Sequence, residues 1–88
     1  MEPRTSYGTA VKIRGACFAH AEGGWQTPSG EEIRAILSSL GWTQEEAARF
    51  LLVNPRSLRR WVLNESKIPY AAWGILCYEA GYGEIWRH

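Results

Sequence analysis

The chain has little with which to hold a metal or close a disulfide: two histidines, His20 and His88, and two cysteines, Cys17 and Cys77. Neither a CxxC nor an HxxxH spacing occurs, which excludes the common zinc patterns. Two cysteines far apart in sequence, without a leader-like segment, read as free thiols in a reducing compartment, used as small buried apolar side chains. A cytoplasmic location is therefore expected. The opening MEPRTSYGTAVKIRG lacks the charged-then-apolar order of a secretory signal. No apolar run approaches the ~20 residues that cross a bilayer, so no membrane association is expected. Excess charge is missing too: ten Lys and Arg against nine Asp and Glu leave a net charge of +1. That excludes a histone-like overall basicity and makes the placement of charge matter more than its sum. With no nucleophile–base pair and no metal cluster in so short a chain, neither an enzyme nor a cofactor is expected.

What is present is apolar and aromatic. Hydrophobic residues make up 45% of the chain, with five Trp and four Tyr. This is one domain with a modest core, a size at which dimerisation adds stability, and the aromatics suffice for an interface as well as a core. Two regions are distinguished. Residues 1–27 are rich in Gly, Thr and Ala and hold no helical period. Val11 and Ile13 alternate with Lys12 and Arg14, which reads either as a short strand or as an arm. Residues 28–88 are helical throughout and form the second region.

The first helix lies in PSGEEIRAILSSLG. Ser29 and Glu32 form a capping-box pattern, Ile33, Ile36, Leu37 and Leu40 make one apolar stripe, and Gly41 is a stop. The second starts at Thr43 with a capping box to Glu46, carries an inward face of Ala47, Ala48 and Leu51, and must stop before Asn54-Pro55. Asn54 caps the third, Pro55 opens it, and it runs to about Asn64 with Leu58, Trp61 and Val62 inward. Pro69 opens a fourth helix, apolar nearly all round, that ends near Gly81. A helix of that kind is buried on more than one side, and a partner subunit is the expected second cover. The fold class is all-α: four to five short helices with a central helix-turn-helix.

The third helix carries the chemistry. At 100° per residue, Arg56, Arg59 and Arg60 share the face opposite Leu58, Trp61 and Val62. A guanidinium fork matches guanine O6 and N7, and it suits phosphate equally well. Arg56, near the helix start, is the first candidate for a base contact, Arg60 the second, and Arg59 serves bases or phosphate. Gln44 at the start of the second helix, Ser57, and Lys67 in the following loop are secondary candidates for the DNA backbone.

The stretch GWTQEEAARFLLVNPRSLRRWVLNESKIP resembles the Cro/C1-type (XRE-like) helix-turn-helix family. The resemblance rests on Thr43-Gln44, Ala48, Val53, the run Asn54-Pro55-Arg56-Ser57 with its anchors Leu58 and Trp61, and a segment from Trp61 to Pro69 similar to W-E-x-G-x-x-x-P. The helix before this stretch looks like the family's first, and Pro69 to Trp73 is similar to the fourth helix of small plasmid and phage repressors. The resemblance spans roughly residues 28–80. It implies Gln44 at the DNA backbone, Pro55, Arg56 and Arg60 at or near base edges, and a homodimer repressing through inverted repeats on double-stranded DNA. Leu52 departs from it, standing where most members have a turn glycine. Either Leu52 accepts a left-handed conformation or the turn takes another shape. Residues 1–27 match nothing in the family. A dimer interface is expected from Trp73, Tyr78, Tyr82 and Trp86. The competing reading is an antitoxin-like or adaptor protein whose aromatic C-terminal region binds a protein partner.

Overall fold

The first three helices begin where a side chain accepts from a free N–H group, the fourth begins at a proline with no side-chain cap, and all four end where the chain turns left-handed. The computed structural model describes residues 12–87. It contains α1 (Gly30–Leu40), α2 (Gln44–Leu51), α3 (Pro55–Val62) and α4 (Tyr70–Glu79), preceded by two 3-10 turns, Gly15–Phe18 and Ala21–Gly23. No strand occurs among the described residues, and the fold is all-α. Val11, half of the expected strand pattern, lies outside them.

Both capping boxes form. Ser29 Oγ accepts from the Glu32 N–H while the Glu32 carboxylate accepts from the Ser29 N–H, and Thr43 and Glu46 do the same for α2. Asn54 Oδ1 accepts from the Arg56 N–H at 2.8 Å, and Pro55 takes the first position of α3, where its missing N–H costs nothing.

All four ends use one closing motif, in which two successive N–H groups bond back five and three residues. The left-handed residues are Gly41, Leu52, Asn64 and Gly81. Leu52 therefore settles the alternative left open by the sequence: it accepts the left-handed conformation, with φ 58° and ψ 40°. Its N–H reaches the Arg49 carbonyl at 3.2 Å and that of Val53 reaches Ala48 at 3.0 Å. Asn64, at φ 64°, ends α3 at Val62, slightly before the sequence estimate. Its Oδ1 accepts from the Gly30 N–H at 2.8 Å, which ties the end of α3 to the start of α1.

α2 packs on α3, and both α3 and α4 pack on α1. Their apolar stripes meet in a core of Ile33, Ile36, Leu37, Ala47, Ala48, Leu58, Trp61, Val62, Trp73 and Leu76. The segment read as a strand or arm contributes to this core. Cys17 is fully buried, and its carbonyl accepts from both the Trp25 and Trp73 indole N–H groups, at 2.9 and 2.8 Å. Phe18 stacks on Tyr82 at 4.3 Å, and Trp25 meets Tyr70 edge-on at 4.9 Å. The second side of α4 is thus covered in large part by the chain itself. Trp73, assigned to a dimer surface from sequence, is wholly buried and belongs to the core, because its indole N–H needs the Cys17 carbonyl.

Arg14 fastens the same segment to α1. Its Nε and Nη2 donate to the two oxygens of Glu32 at 2.9 and 2.8 Å, and its backbone N–H donates to Oε2 at 2.9 Å. Glu32 is otherwise buried. The Arg14 guanidinium, helped by backbone N–H donors and opposed by desolvation, holds the carboxyl down to about 2. Burial pushes both thiols up, Cys77 to about 12, so neither is a thiolate near neutral pH. No helix among the described residues is long and apolar enough to cross a membrane.

Candidate nucleic-acid interface

α3 is anchored by one face and open on the other. Leu58, Trp61 and Val62 are buried, while Arg56, Arg59 and Arg60 are exposed. Asn54 and Pro55 set the helix direction at its start, and the buried Trp61 fixes its rotation. The three guanidinium groups therefore project from one side of a helix that cannot roll without uncovering an indole.

Gln44, Pro55, Arg56 and Arg59 line one shallow hollow, together with Glu45 and Asn54. Gln44 is the first residue of α2, so the hollow joins the start of α2 to the start of α3. Ser57 is half-buried on the next step of α3. Arg60 lies one turn further on, with its Nε 4.0 Å from Glu65. Lys67 is exposed and lines a separate hollow with Arg14, Gln26 and Asn64. Among the described residues no acidic side chain pairs with Arg56 or Arg59.

Two acidic residues near this face escaped the sequence reading. Glu45 follows directly from the position of Gln44 and was legible as its neighbour. Glu65 is brought to Arg60 only by the left-handed turn at Asn64, which helical spacing does not anticipate.

The aromatic residues assigned to a dimer surface divide. Tyr78, Tyr82 and Trp86 are roughly half exposed, unlike Trp73. Trp86 also packs within the chain: its ring lies close against Gly74, where an added Cβ would stand 3.2 Å from it.

Two transcriptional repressor proteins KorC of Escherichia coli align with this chain over 80 residues, at 47% and 49% identity. Each alignment covers 88% of this chain and 93% of the relative. The chain belongs to the KorC family of transcriptional repressors. At that coverage the first three helices and the arginine face fall within the shared length. KorC proteins are repressors, so this is a family of regulators and the chain is not an enzyme. No family model and no solved structure matches the chain.

Proposed function

We propose that this protein is a sequence-specific transcriptional repressor of the Cro/C1-type helix-turn-helix class, acting on double-stranded DNA in the cytoplasm. α2 and α3 form the helix-turn-helix, and α3 enters the major groove. The observation that carries the reading is the arginine face itself: three exposed guanidinium groups opposite a buried stripe, on the second of two short, capped helices. Arg56, at the groove-entering end, reads base edges, with Arg60 second and Arg59 shared between base and phosphate. Gln44, whose N–H lies in the first turn of α2, holds a phosphate, Pro55 lies near the base edges beside Arg56, and Ser57 and Lys67 line the path of the backbone. The repressor names of the KorC relatives support the regulatory role.

The protein binds an inverted repeat as a homodimer whose two recognition helices lie about one DNA turn, roughly 34 Å, apart. Half-exposed Tyr78, Tyr82 and Trp86 at the end opposite the arginines in sequence support a dimer contact there. The same surface would serve a protein partner in the adaptor reading.

Mobility shift on the DNA upstream of its own gene, at two salt concentrations, tests the reading. Wild type should bind that DNA more tightly than competitor. Arg56→Ala and Arg60→Ala should each lose about 1–3 kcal/mol on it. Weak binding, equal on all DNA and abolished by moderate salt, would mean that the arginines see phosphate only.

A further inference from the structure

The three arginines of α3 are alike in sequence and differ in surroundings. Among the described residues Arg60 is the one of the three in an ion pair, with Glu65 Oε1 4.0 Å from its Nε, while Arg56 and Arg59 share their hollow with Glu45. Glu65 is placed by the backbone. Asn64 turns left-handed, its N–H bonds to the Trp61 carbonyl at 3.2 Å, and the Glu65 N–H bonds to the Arg60 carbonyl at 2.8 Å. The residue after the left-handed turn is apolar at the other three helix ends, where Trp42, Val53 and Tyr82 follow Gly41, Leu52 and Gly81. Such a residue ordinarily makes a hydrophobic contact with the last turn. In α3 that position is a glutamate, and the last-turn residue it faces is an arginine.

We propose that Glu65 is a positioning residue that makes Arg60 discriminate between bases instead of binding phosphate. The inference rests on the DNA reading above. A carboxylate whose nearest guanidinium atom is Nε leaves the two terminal amino groups as the donors for a base. Those two donors match O6 and N7 of guanine. The same carboxylate offsets part of the positive charge and so weakens the pull of any nearby phosphate. Both side chains are about 60% exposed, so the pair contributes little to stability. Its effect is on where the guanidinium points.

Selection from a pool of DNA duplexes with a randomised centre, followed by sequencing, tests this with the full-length protein. The set is wild type, Glu65→Gln, Arg60→Ala and the double variant, each also titrated on unselected DNA against salt. Arg60→Ala should erase preference at one base pair of each half-site. Glu65→Gln should weaken preference at that same pair by about tenfold. It should also raise affinity for unselected DNA and steepen the salt dependence by about one phosphate contact. In the Arg60→Ala background, Glu65→Gln should leave every base preference as it was. Thermal midpoints of wild type and Glu65→Gln should coincide, which excludes a folding defect. If Glu65→Gln selects the same sequence as wild type, or alters base preference equally without Arg60, the assignment is wrong while the DNA reading stands. If wild type itself enriches no sequence, the DNA reading falls and takes this inference with it.

Discussion

α1 and α2 begin with the same capping box, a hydroxyl and a glutamate three residues on, and end in the same left-handed turn. Their uses differ. In α1 the glutamate of the box is buried and also gathers Arg14, and the first residue, Gly30, sits hard against the end of α3. In α2 the glutamate of the box, Glu46, is exposed and closes the box only, and the first residue, Gln44, opens onto the hollow that holds Arg56 and Arg59. One local code has thus been joined to the rest of the molecule at α1 and left facing outward at α2. The lesson is that caps set where a helix starts, while long-range partners decide whether that start is a structural joint or a surface.

The largest effect should come from jamming the joint. A Cβ on Gly30 would stand 1.9 Å from the Val62 carbonyl oxygen, a backbone atom with nowhere to go. Gly30→Ala should therefore cost at least about 3 kcal/mol, despite the better helix propensity of alanine. Urea unfolding measures it. A loss under 1 kcal/mol would show that α1 and α3 separate easily, and the contrast with α2 would shrink to nothing.

A smaller effect isolates the charge. Glu32→Gln keeps a side chain able to close the capping box but removes the carboxylate that Arg14 holds. Near neutral pH it should cost about 2 kcal/mol, as for hydrogen bonds to a charged group. The matching change, Glu46→Gln, should stay within about 0.5 kcal/mol. The sign with pH follows from the depressed carboxyl of Glu32, about 2 in the folded chain against 4.5 for an ordinary glutamate. Its stabilisation is complete above 4.5 and is lost as pH falls toward 2. The gap between wild type and Glu32→Gln in chemical denaturation should accordingly close across that interval. A gap that persists unchanged to pH 2 would mean that the amide fails for a steric reason and the ion pair is incidental.

These contrasts also mark what a reader of the sequence can and cannot recover. Ser29, Gly41, Thr43, Asn54-Pro55 and Gly81 bound the helices through neighbours a few residues away, so the boundaries were legible. The arginine face was legible for the same reason, since it needs only helical rotation from Leu58 and Trp61. The packing of residues 13–25 was not. Short 3-10 turns have no apolar period, and the partners of Cys17 and Arg14 are Trp73 and Glu32, remote in sequence. The burial of Trp73 was hidden with it: an apolar helix shows that two sides are covered but not by what. Glu65 escaped because its nearness to Arg60 depends on Asn64 turning left-handed where the sequence offers no glycine.

The smallest effect tests the other non-glycine turn. Asn64 uses its side chain to bind Gly30, whereas Leu52 is 90% exposed and shows no such return for its left-handed backbone. That conformation costs a residue with a β-carbon about 1–2 kcal/mol. Glycine removes the cost but gives the unfolded chain more freedom, returning about 0.5–1 kcal/mol. Leu52→Gly should therefore be neutral to stabilising, by at most about 1.5 kcal/mol, or a rise in thermal midpoint of roughly 6–12 °C at the upper limit. The closing bonds to Arg49 and Ala48 come from the backbone and should survive, so the angle between α2 and α3, and with it DNA affinity, should hold. A clear loss of stability would show that the leucine side chain contributes packing that its exposure does not suggest. Gained stability with lost DNA affinity would instead mean that Leu52 itself sets how α3 is presented, and the α2 end would then be as much a joint as the start of α1.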